Sequence, residues 1–369
     1  MPAVALLTVA VWFLARSPVV GNLEVALVAF LATFGLTAFV RTLAIRGGAL
    51  DYPDARKKHA VPTPKLGGVA VLAGFVLALG RQPLLDAELL SIAVCALALM
   101  LAGALDDTRG LSSRVRLALQ LICALVIVGA GVRLNLLPGT AGMIVNVVLS
   151  VLWLVGITNA YNFIDGLDGL AASLGGLIAV LLSLVAWRSG QPELLVVCLA
   201  LTGALLGFLP HNLRPGRSAT IFLGDSGSAS VGFLLAALAI KEDWAEGDPL
   251  VALAAPVLIF SVLIYDMIQT TLLRIATGRV RTFQQWVDYV GRDHIHHRFQ
   301  DLLGGPGRAL CLILVLSFGL GLSALGLQRG SSGQAAIFLV HGALVLIVVA
   351  VLEGAPGRTV RRGDARREP

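Results

Sequence analysis

Apolar positions along this chain come in long unbroken runs, separated by short polar connections. A helix needs about 20 such residues to cross the hydrocarbon core of a bilayer. On that ruler the chain divides into eleven candidate spans, over 22–46, 66–80, 88–105, 116–136, 139–158, 168–187, 193–210, 222–240, 250–275, 308–327 and 334–353. Residues 1–15 are apolar but short and end at Arg16. They lack the basic start of a signal peptide, so they read as a further span, an interfacial helix or an uncleaved signal-like start rather than a cleaved leader. No repeat period and no Pro- or Ser-rich linker interrupts the pattern. Residues 1–353 therefore read as one transmembrane domain and 354–369 as a basic tail. The expected class is all-α: a polytopic integral membrane protein with about 11 transmembrane helices.

Composition agrees. Of 369 residues, 57% are apolar and 14% charged, against about 25% charged in an ordinary soluble domain. One soluble core cannot bury so much apolar surface, and disordered chains lack it. Four cysteines are too few for a disulfide scaffold. Cys95, Cys123, Cys198 and Cys311 all lie within apolar runs and read as buried thiols.

Charge then sets the orientation. The chain has 28 Lys and Arg. With connections numbered alternately, only Arg81, Arg133, Arg188, Lys241 and Arg329 fall on one side, Arg16 stays unassigned, and the remaining 22 share the other. The positive-inside rule makes the basic side cytoplasmic. The positive balance of +6 thus follows membrane topology and is no nucleic-acid footprint. The terminal arginines read as a solvated tail near anionic headgroups.

The same alternation gathers every unusual polar cluster on the basic side, which points to one composite site. The first is the loop Arg56-Lys57-Lys58-His59 with Pro64 and Gly67-Gly68, whose cations suit a phosphate but also suit an ordinary inner loop. Next come the adjacent acids Asp106 and Asp107 at a span end. Neighbouring carboxylates repel, and burial disfavours their charged forms. A divalent ion relieves both costs, and hard oxygen ligands suit Mg²⁺. A solvated helix end is a poorer reading, because acids there oppose the helix dipole.

The third cluster, Asn159, Asn162, Asp165 and Asp168, spaces polar groups three apart, so neighbours share a helical face. It is not an EF-hand loop. Phe222, Gly224 and Asp225 form the fourth, with Asp225 either a carboxylate ligand or simply a helix N-cap. The fifth is His294, His296, His297 and Arg298 in the longest inner loop. Zinc is an alternative for the histidines, but His and Arg together suit a pyrophosphate. Asp266, within the preceding span, reads as a functional acid or as an anchor for a cation of that loop. No P-loop and no dinucleotide-binding glycine motif occurs.

Taken in order, R-K-K-H, Asp106-Asp107, N-x-x-N-x-x-D-G-x-D-G, F-x-G-D-S-G-S and H-I-H-H-R resemble the polyprenyl-phosphate N-acetylhexosamine-1-phosphate transferases, glycosyltransferase family 4, over roughly 22–330. The H-x-H-H form is similar to the branch using UDP-GlcNAc. The phospho-MurNAc-pentapeptide transferases of peptidoglycan synthesis are the alternative, since the stretch 63–68 stands between the two patterns. Residues 280–290 look atypical for either branch. The resemblance implies transfer of GlcNAc-1-phosphate from a UDP-sugar to a polyprenyl phosphate such as undecaprenyl phosphate, with release of UMP. This would be the first membrane step of cell-envelope polysaccharide synthesis, at a bacterial inner membrane, with a homodimer as the candidate assembly.

Residue by residue, the resemblance assigns catalysis to Asp106, Asp107, Asp225 and His296, and Mg²⁺ (or Mn²⁺) to Asp107 and Asp225. It assigns substrate contacts to Lys57, Lys58, Asn159, Asn162, Asp165, Asp168, His294, His297 and Arg298. Phe222 matches a ring stacked on uracil. Direct attack and an aspartyl-phosphate route both remain open. A secondary transporter, the competing class, would carry its acids near the midplane and show internal repeats. Neither feature is evident.

Overall fold

A computed structural model describes residues 18–53, 61–82, 86–242, 244, 248–289, 291–328 and 330–354. Lys57, Lys58, residues 1–15 and the basic tail lie outside the described residues. The chain is an all-α polytopic membrane protein. Seven of its described helices are long and apolar enough to span: α1 (Pro18–Arg46), α3 (Ala87–Arg109), α5 (Gly139–Ile164), α6 (Leu170–Arg188), α7 (Pro192–Asn212), α13 (Pro306–Leu327) and α14 (Ser332–Gly354). Three more coincide with predicted spans: α2 (Gly67–Leu79), which is shorter, α4 (Ser113–Gly129), and α8 (Gly224–Lys241), which opens on a polar turn.

The predicted span 250–275 needs correction. It is two helices, α9 (Pro249–Ile259) and α10 (Ser261–Ala276), bent by 77° at Phe260. Pro256 removes one backbone donor, and the Ser261 hydroxyl donates to the Leu258 carbonyl at 2.7 Å, competing with the helical ladder. Beyond the bend α10 is two-faced. Asp266, Thr270 and Arg274 are buried at four-residue spacing, while Ile268, Leu272 and Ile275 face outward. Two short helices follow, α11 (Phe283–Asp288) and α12 (Ile295–Leu303).

The interior is formed by α2, α6, α7 and α8, whose residues are mostly buried. Helices α1, α5 and α14 lie outside them and expose leucines, valines and isoleucines, as a lipid-facing surface should. Cys95, Cys123 and Cys198 are buried as expected, but Cys311 is exposed on α13. A small antiparallel hairpin was not expected. In it β1 (Leu50–Asp51) pairs with β2 (Thr63–Pro64) in the register Leu50↔Pro64 and Asp51↔Thr63. The chain at 222–223 extends it, as Phe222 N–H donates to the Pro64 carbonyl and Gly67 N–H to the Phe222 carbonyl.

Helices α3 and α8 pack side by side and run antiparallel. Asp107 of α3 meets the start of α8, and Glu88 near the other end of α3 meets Lys241 at the end of α8. At about 1.5 Å of rise per residue the two ends are roughly 30 Å apart.

Candidate active site

The site forms where α8 begins. The first four N–H groups of a helix have no partner inside it, and Asp107 supplies one. Its Oδ1 accepts from Asp225 N–H at 3.1 Å and its Oδ2 from Ser226 N–H at 3.0 Å. Space for this is made by glycines. A Cβ on Gly103 would lie 2.4 Å from the Asp225 carbonyl oxygen, and one on Gly68 would lie 2.0 Å from Gly227 N. Backbones of α2, α3 and α8 therefore touch at this point. Leu66, just before Gly67, holds a left-handed φ of 84°, strained for a branched side chain.

Asp225, second residue of α8, then faces the end of α5. Asn162 donates to its Oδ1 at 2.7 Å and to the Ser228 hydroxyl at 2.6 Å. Arg116, near the start of α4, lies 3.0 Å from Asp106 Oδ2 and 3.7 Å from Asp225 Oδ1. Asn159 donates to Gln120 Oε1 at 2.7 Å. Together Arg116, Gln120, Asn159, Asn162 and Asp225 stand at the polar side of a cavity of about 380 Å³. Its other walls are apolar, among them Leu99, Leu117, Val155 and Met267.

The histidines approach from the far side of the α5 end. The His294 ring stacks on Phe163 at 5.2 Å, and His296 lies between His294 and His297 at 6.1 and 4.1 Å. A Cβ on Gly166 would sit 2.1 Å from His296 Nε2, so the imidazole rests directly on that backbone. Four predicted clusters, separated by up to 190 residues in sequence, thus meet at one end of the bundle.

Residues 89–242 match the glycosyl transferase family 4. A decaprenyl-phosphate N-acetylglucosaminephosphotransferase of Mycolicibacterium smegmatis is 32% identical over 378 residues, 94% of this chain and 90% of the relative. Its counterpart from Mycobacterium tuberculosis is 33% identical over 382 residues, 94% and 91% of the two chains. The undecaprenyl-phosphate alpha-N-acetylglucosaminyl 1-phosphate transferase of Escherichia coli is 28% identical over 278 residues, 73% of each. The chain belongs to this family of polyprenyl-phosphate N-acetylglucosaminyl-1-phosphate transferases.

Within the transferase, the expected site residues divide into two groups. Asp106, Asp107, Asn159, Asn162, Asp165, Asp225 and His296 surround the end of α5 and the start of α8. Asp168, Arg298 and His294 have partners elsewhere, and Lys57 and Lys58 lie outside the described residues. Asp168 is exposed and accepts from Ala219 N–H at 2.9 Å, pinning the 213–223 loop. Arg298 donates to the Asp293 carbonyl and to Gln269 at 2.8 and 2.5 Å, and reaches Glu353 at 3.2 Å. His294 donates from Nδ1 to Asp266 at 2.8 Å and accepts at Nε2 from Arg274 at 3.2 Å. Asp266 is thus an anchor for the histidine loop. Phe222 contributes backbone hydrogen bonds.

Two titratable groups in the connections are strongly perturbed. Burial, then the nearby charges of Asp225, Asp107 and Asp168, pushes Asp165 up to about 8. Burial, reinforced by His297, His294, Arg298 and Arg292, holds His296 well below its usual value, so it is neutral at pH 7. Both its ring nitrogens are buried without a hydrogen-bond partner, a cost that a ligand would relieve. Asp293 is held below the usual carboxylate range: burial opposes this, but the two-pronged Arg274 contact at 2.7 and 2.8 Å prevails.

Sequence reasoning missed Arg116, which opens a predicted span and looks like a membrane-flanking cation. It also missed Asn212, which accepts from Gly169 N–H at 2.8 Å and donates to the Ile221 carbonyl at 3.0 Å. Its place at the end of an apolar run, where a polar amide needs partners, was the available signal.

Proposed function

We propose that the transferase moves N-acetylglucosamine-1-phosphate from UDP-GlcNAc onto a long polyprenyl phosphate, giving polyprenyl-pyrophosphoryl-GlcNAc and UMP. The reading includes eleven membrane crossings, with the site on the cytoplasmic face of a bacterial inner membrane. The observation that carries it is the cavity beside Asp225: polar and charged at one side, apolar on the others, as an amphiphile with an anionic head requires.

The donor set also fits a divalent ion. Asp106, Asp165 and Asp225 are hard oxygen donors. Asp106 Oδ2 is buried against Arg116 at 3.0 Å, and burial together with the crowding of carboxylates raises Asp165. The crowding favours a further cation. Among the described residues no group of three or more His, Cys, Asp or Glu is placed to hold a metal ion by itself. Mg²⁺ commonly completes its shell with water and substrate phosphate. Asp225, with Asp165 beside it, would hold it together with substrate phosphate, and Asp107 would fix the α8 start from which Asp225 projects. When bound, the ion would neutralise the phosphates and orient in-line displacement.

The chain's own residues do the positioning. Asn162 fixes the Asp225 carboxylate, and Arg116 offers a guanidinium to the acceptor phosphate at the cavity. An acceptor oxygen would attack the β-phosphorus, and the bond to the UMP oxygen would break. Neutral His296 can donate one hydrogen bond to the diphosphate. The test is a substrate panel with purified protein, undecaprenyl phosphate and either UDP-GlcNAc or UDP-MurNAc-pentapeptide. Lipid-linked product and UMP in equal amounts, from UDP-GlcNAc alone, are expected. Product from the pentapeptide donor alone would overturn the sugar assignment, and product from neither would overturn the reaction.

A further inference from the structure

Residues 280–289 fold into a strap across the cavity. Thr282 caps α11 by accepting from Gln285 N–H at 3.2 Å. Both flanks of α11 are tied down. Arg114 donates to Gln284 at 3.0 Å and Ser113 to Asp288, both from the α4 side, while Trp286 Nε1 donates to Thr271 of α10 at 2.8 Å. No residue of α11 is buried, so the strap is not part of the packed core.

Two of its side chains occupy a particular place. Phe283 and Trp286, stacked with centroids 6.0 Å apart, line the 380 Å³ cavity that ends at Arg116 and Asp225. The same two rings line a second groove of about 480 Å³, which runs along Thr271 and Ile275 of α10. Ile275 is on the outward face of α10, and Phe283 is 68% exposed. The ring pair is therefore the partition between the reaction cavity and the lipid-facing surface.

We propose that Phe283 and Trp286 are specificity-determining residues for the acceptor: they grip its prenyl chain where it leaves the cavity for the groove along α10. The inference rests on the acceptor reading above and extends it to particular side chains. A prenyl phosphate has its charge at one end only. With the phosphate at Arg116, its tail has an apolar route outward past the two rings. Flat aromatic faces suit the methyl-branched, unsaturated chain, and contacts of this kind are worth about threefold to tenfold in affinity each. A short acceptor that ends inside the cavity meets only the inner side of the pair and gains less from it.

Trp286→Ala and Phe283→Ala, in the full-length protein in detergent, test this with two acceptors, undecaprenyl phosphate and geranyl phosphate. For Trp286→Ala the KM for undecaprenyl phosphate is expected to rise about tenfold, with a smaller rise for geranyl phosphate and the KM for UDP-GlcNAc unchanged. Phe283→Ala is expected to show a smaller rise of the same pattern. Unchanged KM for undecaprenyl phosphate, or an equal rise for both acceptors, would overturn the proposal. A binding arm without donor sugar keeps it separate from the proposed reaction. Undecaprenyl phosphate should raise the Tm of the wild type at lower concentration than that of Trp286→Ala. Equal titrations would overturn the proposal even if the wild type transfers no sugar, whereas the reaction reading fails only on absent turnover.

Discussion

The α3–α8 pair carries charge at both of its ends, and the two ends treat it differently. At one, Lys241 lies 3.0 Å from Asp86 and 2.5 Å from Glu88, and both acids are about 40% exposed. Solvent and one lysine share the burden, so this end is a strut between two helices. At the other, Asp106, Asp107, Asp165 and Asp225 crowd together with Arg116 as the nearest guanidinium, and the Asp106 side chain is 8% exposed. Burying like charges costs stability unless a cation joins them. The compensated end ties the helix pair together, while at the other end one guanidinium faces several carboxylates, the arrangement that the proposed ion would relieve.

The largest effect is expected from breaking the second end. Asp225→Asn should lower kcat by about 10³-fold, while Tm holds or rises because one repulsion is removed. Asp107→Ala should also abolish turnover, but with a stability loss of about 2–4 kcal/mol, since two N–H groups at the start of α8 lose their acceptor. Thermal unfolding beside kinetics separates these outcomes. An Asp225→Asn protein that loses stability as Asp107→Ala does would erase the distinction between ligand site and cap.

A pH titration sharpens the contrast. Asp165 is raised to about 8, above its unfolded value. Between about pH 4 and 8 the folded state keeps a proton that the unfolded state has lost, so stability falls as pH rises through that window. Asp165→Asn should flatten the fall in Tm measured without added metal. An identical slope in the variant would remove Asp165 from the crowded set. The smallest effect is expected at the compensated end. Lys241→Ala should cost about 1 kcal/mol and leave kcat and both KM values within about twofold of wild type. A large loss of activity there would mean that the two ends are not separate.

Much of this was legible in the chain. The span rule located the long helices closely, because a bilayer imposes one length on every crossing. The clusters of Asp106, Asn162, Asp225 and His296 stood out because polar groups at span ends are costly unless used. The bend at Phe260 was hidden inside a continuous apolar run, where Pro256 gives only a weak hint. Partner choice was hidden as well. Whether Arg298 faces a substrate or Asp266 and Glu353 depends on contacts across 32 and 55 residues, which no local pattern encodes. Arg116 was overlooked for the same reason: at a span end a cation is expected anyway.

The central claim is that the acidic end of α3–α8 binds a divalent ion as part of its function. Mn²⁺ serves as the paramagnetic probe. Electron paramagnetic resonance of the purified protein titrated with Mn²⁺ in the presence of UDP-GlcNAc should show one bound ion in the wild type and in Lys241→Ala, and none in Asp225→Asn at the same concentrations. Equal Mn²⁺ binding in Asp225→Asn and wild type would contradict it.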